Sequence, residues 1–214
     1  MHRPIFVAFM LFLAALPATA SADTLQFKLL QNQSRATFKT DAPLETIVGT
    51  TAAAGISGSL SVDPARPQGA RGKISVDMAL VRSGVDKRDA DMLTKGYLDA
   101  QADEANKLVT FEIKSVEIAG PLEPGRETPA KVHGTLTVKQ RPVDVVADAR
   151  VTYVKLTPEQ VEGQKRFGFT ADNVKVRAKF GTLFTNHGMQ VPQLLFLKVS
   201  NDIQLETDLT FVRQ

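Results

Sequence analysis

Val132-His133-Gly134-Thr135-Leu136-Thr137-Val138 and Val174-Lys175-Val176-Arg177-Ala178-Lys179-Phe180 decide the fold. In both stretches apolar or small residues alternate with polar ones. That period of two marks a strand with one dry face and one wet face. Ile74, Val76, Met78 and Leu80 repeat the pattern, as do Ile203, Leu205, Leu209 and Phe211. Strands buried on a single face belong to antiparallel sheets. Further strand candidates are 25–29, 35–38, 56–62, 109–118, 143–153 and 167–169. The phase slips between Ile113 and Val116, which predicts a bulge. Asp63-Pro64, Pro67-Gln68-Gly69, Gly120-Pro121, Pro124-Gly125 and Arg141-Pro142 are turn signals between the runs. Roughly ten short strands in this arrangement read as a sandwich or a barrel.

Two stretches leave the strand pattern. Met92, Leu93, Tyr97 and Ala100 have helical spacing, and Asp86, Asp89 and Asp91 crowd the start of that segment. This predicts a helix within 86–104, its acidic start facing the helix dipole. Thr157-Pro158-Glu159-Gln160 predicts a short second helix with a capping box and Pro at its first position.

The amino terminus reads as an export signal. His2 and Arg3 precede the apolar run 5–16, IFVAFMLFLAAL, which Pro17 ends. Ala18 to Ala22 are small, and Ala20-Ser21-Ala22 fits a cleavage site. The run is too short to span a bilayer. The expectation is a signal peptide over 1–22, cut after Ala22, and one domain over 23–214. The sequence shows no transmembrane segment after that cut.

Composition narrows the function. The chain has no Cys, so disulfides and thiolate chemistry are excluded. Its net charge of +3 becomes +2 once Arg3 is removed, and no basic cluster stands out, which argues against nucleic-acid binding. His133 and His187 lack partners at metal-ligand spacing and read as solvated surface histidines. Gly55-Ile56-Ser57-Gly58 lacks the final glycine of a nucleophile elbow, and no phosphate-binding loop is present. The sequence therefore offers no catalytic residues, no metal site and no cofactor motif. Phe38, Phe111, Phe167, Phe169, Phe180 and Phe211 all fall in strand candidates. They fill a core or line a lumen, and periodicity alone does not separate the two.

A set of short motifs taken in order is more specific. Ser83-Gly84 is followed by Arg88-Asp89-Ala90-Asp91-Met92-Leu93 and Tyr97-Leu98-Asp99-Ala100. Then come Val109-Thr110-Phe111-Glu112-Ile113, Gly134-Thr135-Leu136-Thr137-Val138 with Pro142-Val143, Phe167-Gly168-Phe169, and Arg177-Ala178-Lys179-Phe180-Gly181. This order resembles the YceI-like family of periplasmic lipid-binding proteins, from Ser34 to Phe211. The resemblance implies a mainly β, lipocalin-like antiparallel barrel of about eight strands with one or two short helices. It implies a periplasmic location, a polyisoprenoid or quinone-type chain in the lumen, frequent dimers and no catalytic residues. Three departures concern the head group. Asp91-Met92 stands where a histidine is expected, Lys179 replaces an acid, and Lys139-Gln140-Arg141 replaces Gly-Val-Thr.

On that basis the expected tail-binding residues are Phe38, Ile74, Val76, Met78, Phe111, Phe169, Phe180 and Leu209. Met92, Leu93 and Tyr97 are expected to close one end. Arg88 and Arg177 are candidates for a head group, although an ion pair with a nearby Asp is the plainer role for Arg88. A solvated strand face is the plainer role for Arg177. Burial is worth about 0.8 kcal/mol per methylene, so two or three isoprene units support roughly micromolar binding. The competing expectations are a filled barrel serving as an interaction module and an envelope hydrolase or isomerase using Asp89, Tyr97 or His133. Leu194-Leu195-Phe196-Leu197 reads first as a strand buried on both faces, then as a flap over the barrel mouth, then as a dimer contact.

Overall fold

Alternation buries one side of each strand, and closing the sheet on itself hides that side from water on all strands at once. The computed structural model takes that solution. It describes residues 24–194 and 197–214, so the expected signal peptide and Leu195-Phe196 lie outside the described residues. The strands in chain order are β1 (Leu25–Leu29), β2 (Arg35–Ala42), β3 (Glu45–Thr51), β4 (Ile56–Val62), β5 (Arg71–Asp77) and β6 (Val81–Arg82). They continue as β7 (Leu108–Ile118), β8 (Glu127–Val138), β9 (Arg141–Lys155), β10 (Asp172–Leu183), β11 (Gln193–Leu194), β12 (Leu197–Lys198) and β13 (Asp202–Arg213). The α-helices are α1 (Asp86–Asp91) and α2 (Pro158–Gln164).

The topology is a closed, eight-stranded antiparallel up-and-down barrel. β1 and β2 form one broken strand, since both pair with β13. β3 and β4 form the next, pairing with β2 and β1, and β5 and β6 the third. β7 to β10 follow in order, and β13 closes the ring against β1 and β2. Three 3-10 turns mark the breaks: Gln31–Gln33, Ala53–Gly55 and Met78–Leu80. They are tied across the wall, Gln31 Nε2 donating to Ile56 O at 2.9 Å and Ala52 N to Leu80 O at 3.2 Å. Ser34, fully buried, covers the gap in β13 pairing by accepting from Thr210 N at 3.0 Å.

The inward positions agree with the alternation. On β8 the buried residues run Thr128, Ala130, Val132, Gly134, Leu136 and Val138. The expected bulge is present, as the β7–β8 register shifts between Ile113 and Ser115. So is the capping box of Thr157 and Gln160 on α2.

Four local expectations are corrected. The 86–104 segment is helical only over Asp86–Asp91 and continues as turns, because Gly96 (φ 97) and Asp99 (φ 58) adopt backbone that ends a helix. Residues 167–169 are not a strand: a 3-10 turn over Lys165–Phe167 ends at left-handed Gly168. The β5 alternation stops at Asp77, whose side chain accepts from Ala79 N and caps the next turn. The β8–β9 hairpin turns at Lys139-Gln140 (φ 48 and 57), one step before the Arg141-Pro142 signal. Gln140 Nε2 bonds Asp103 Oδ2 (2.7 Å) and Asn106 Oδ1 (2.9 Å), which helps hold that backbone.

Candidate functional site

The barrel interior is packed at one end and open at the other. At the closed end Phe27, Ile56, Leu60, Val62, Val174 and Phe211 are buried. Above them lies an inner chamber of about 130 Å³, lined almost wholly by carbon. Toward the other end an outer chamber of about 380 Å³ follows. Phe38, Met78, Val109 and Leu205 line both chambers, so they form the neck between them. A cavity of about 150 Å³ accepts a benzene-sized group. The two chambers together suit an extended apolar chain of roughly three or four such groups.

Two glycines keep the lumen open. A Cβ on Gly134 would lie 2.4 Å from Phe111 Cζ, and one on Gly49 would lie 2.2 Å from Phe38 Cε1. Both rings therefore lie against the wall over a glycine. Phe111 also meets Phe180 at 5.4 Å between centroids.

Nine of the eleven residues expected to bind the tail or close one end line the chambers. Ile74, Val76, Phe111, Phe180 and Leu209 are in the inner one, Met92 and Tyr97 in the outer, and Phe38 and Met78 in both. Leu93 does not line a chamber; it packs behind the outer one against the cluster containing Leu98, Leu136 and Met189. Phe169 lines neither chamber, because its segment is the loop after Gly168 rather than a strand.

The arginines separate. Arg88 lines the outer chamber, and its guanidinium meets both oxygens of Glu45 at 2.9 and 3.0 Å. The pair joins α1 to β3, so the ion-pair reading was right in kind, with Glu45 as partner. Arg177 lies on the outer wall, 51% exposed, paired with Glu127, which also holds Arg150. Those contacts hold the Glu127 carboxyl below its ordinary range, the Arg177 hydrogen bond first and that of Arg150 next. Arg177 is absent from both chambers.

A cover over the mouth was only partly legible. Phe184, Met189, Pro192, Gln193 and Val199 line the outer chamber. β11 and β12 pair with each other as a separate two-stranded sheet rather than joining the barrel. Gln190 N donates to Gly96 O at 2.6 Å, and Ser200 N to Asp41 O at 2.7 Å. His187 anchors this segment. It is fully buried, correcting the surface reading, with Nε2 2.8 Å from Thr182 Oγ1 and Nδ1 3.1 Å from Arg141 O. Burial depresses its pKa below 6.5; the nearby Arg141 charge acts the same way, and the carbonyl bond opposes both. A lone His in a polar turn carries no sequence signal for this burial.

The residues considered for catalysis make no hydrogen bond to one another. Asp89, on α1, accepts from Ser83 N and Oγ at 2.8 and 2.6 Å. His133 pairs with Glu117 at 2.5 Å on the outer wall, and Tyr97 lines the mouth. Among the described residues there is no group of three metal-ligating side chains, and no helix is long and apolar enough to cross a membrane.

The arrangement matches known proteins at the level of fold. A family model described as the YceI-like domain matches residues 27–211. A polyisoprenoid binding domain from Saccharophagus degradans, implicated in plant cell wall breakdown, superposes with a TM-score of 0.63 at 13% identity, covering 89% of this chain and 99% of that one. BcnA from Burkholderia cenocepacia gives 0.61 at 14% identity, covering 84% and 97%. A Campylobacter jejuni YceI protein gives 0.55 at 17% identity, covering 74% and 81%. A search of curated proteins finds no match.

Proposed function

The chain belongs to the YceI-like family, and from that premise we propose that it is an exported, periplasmic carrier or reservoir that holds a polyisoprenoid or quinone-type chain in its lumen. The observation that carries the reading is the pair of adjoining, mainly apolar chambers, with rings recessed over Gly49 and Gly134. A protein selected only for stability fills such a space. Here the wall glycines leave it open, which speaks against the filled-barrel interaction module. The polyisoprenoid binding domain from Saccharophagus degradans, with the same fold, supports the ligand class. A binding role is favoured over catalysis because the inner lining is almost wholly carbon and His133 pairs with Glu117 on the outer wall, away from the chamber that Tyr97 lines. The export signal over 1–22, the single domain over 23–214 and a homodimer belong to the same proposal.

The test is native mass spectrometry of the mature protein from an envelope extract, with organic extraction of what is bound. The expected result is a stoichiometric isoprenoid or quinone that is lost in Phe111→Glu and kept in Phe169→Ser, with the fold of both checked by circular dichroism. A protein that arrives empty and takes up no added isoprenoid would sink the reading. The same spectra report the oligomeric state and the mature mass, and so the cleavage after Ala22.

A further inference from the structure

The outer chamber is lined by three charged side chains, Lys87, Arg88 and Asp91. All are already paired within the protein. Lys87 Nζ bonds Asp91 Oδ2 at 2.9 Å, and Arg88 bonds both oxygens of Glu45. Two cations and two carboxylates leave the rim without net charge. The other polar residues of the chamber are engaged too: Thr40 Oγ1 with Ser200 O, Thr182 Oγ1 with His187, and Gln193 with a partner of its own. Tyr97 differs. It is half-buried in the lining, and its hydroxyl makes no hydrogen bond among the described residues.

We propose that the head group held at the mouth is an uncharged oxygen function, a carbonyl or hydroxyl, and that the Tyr97 hydroxyl is its hydrogen-bond partner. The proposal rests on the reading of the lumen as a site for an apolar chain. A phenol shut in by a ligand needs a partner, and the ligand is the group in position to supply one. A phosphate fits poorly. It must be dehydrated, and at Arg88, whose Nη2 already serves both oxygens of Glu45, it must share one guanidinium with that carboxylate and sit beside its like charge. The inner chamber also has a hydroxyl with no hydrogen bond among the described residues, Thr207, between Ala36 and Ala178 on the neighbouring strands. Its chamber is about 130 Å³, close to the size that takes a single benzene ring, so Thr207→Val is the variant that separates it from Tyr97 as the partner.

The experiment compares three ligands of equal prenyl length, a quinone, an alcohol and a monophosphate, by calorimetric titration of the mature protein. The expected result is that the quinone and the alcohol bind about tenfold more tightly than the phosphate. Tyr97→Phe is expected to weaken the two neutral ligands by about three- to tenfold and to leave the phosphate as it was. The neutral ligand that loses more in Tyr97→Phe identifies the source, carbonyl or hydroxyl. Glu45→Gln frees Arg88 and is expected to narrow the gap to the phosphate. A phosphate that binds as tightly as the neutral pair overturns the proposal. So does a neutral preference that Thr207→Val removes and Tyr97→Phe does not. If none of the three binds, the lumen reading itself fails, which is a different result from either.

Discussion

The two ends of this barrel are built from the same strands with the same alternation, yet one is a core and the other a container. At the closed end Phe27, Phe211 and Val174 interlock at 1–2% exposure. Tyr153, Asp172 and Arg213 form a hydrogen-bonded knot there, with Tyr153 Oη on Asp172 Oδ1 and Arg213 on Oδ2 at 2.9 Å. Toward the open end the walls are recessed instead, Phe111 over Gly134 in the inner chamber and Phe38 over Gly49 at the neck, and the polar knot is His187 with Thr182 and the Arg141 carbonyl. The lesson is that strand pattern settles which face is dry. Side-chain size opposite each ring settles whether the dry space is full.

The largest expected effect tests that contrast directly. Phe27→Ala removes a ring that is 1% exposed and lines neither chamber, and is expected to cost about 3–5 kcal/mol. Phe38→Ala removes one that borders empty space at the neck, and is expected to cost roughly 1 kcal/mol, since a side chain facing a void gives up fewer contacts. Urea denaturation of both variants measures the difference, and equal losses would break the distinction between the ends.

Gly134→Val comes next. Its side chain would occupy the recess of the Phe111 ring and push the ring into the inner chamber. A stability loss of about 1–3 kcal/mol is expected, with at least roughly tenfold weaker uptake of an isoprenoid, read by titration.

Acid is expected to separate the ends more gently. His187 is held neutral by burial, so its folded pKa lies below 6.5 and the unfolded chain binds more protons. Its contribution is intact above pH 6.5 and is lost as pH falls through that value toward the folded pKa. For Asp172, burial raises the pKa, but the bonds from Tyr153 and Arg213 outweigh it and leave the carboxyl below 3.8. That contribution persists until the pH falls below 3.8. Between about pH 6 and 4, hydrogen exchange is expected to rise in 184–192 while 172–174 and 211–213 stay protected. His187→Asn is expected to flatten that dependence.

The smallest effect is expected on the outer wall. Arg177→Gln breaks an exposed pair with Glu127 and is expected to leave both the urea midpoint and ligand uptake nearly unchanged.

The legibility of these features follows their range in the chain. The inward faces of β8, β10 and β13, the bulge after Ile113 and the capped α2 were all readable, since each depends on residues within a few positions. The helix written into 86–104 was not, because left-handed Gly96 and Asp99 serve contacts such as Gly96 O with Gln190 N, from a segment far along the chain. Phe169 misled because its neighbours alternate over too short a stretch to separate strand from loop. His187 misled because its partners, Thr182 and Arg141, come from two different strands.

The sequence by itself determined the antiparallel strands, their faces and the apolar character of the interior, since a period of two gives each strand one dry face. Closure into a barrel rather than a sandwich was implied by the family resemblance and decided by the tertiary structure. Only the tertiary structure decided that the barrel is hollow, where its neck lies, that Arg88 is already taken by Glu45, and that a buried histidine anchors the cover. Each of those depends on which side chain stands opposite which across the lumen. That opposition is set by register and closure between strands, and no local pattern records it.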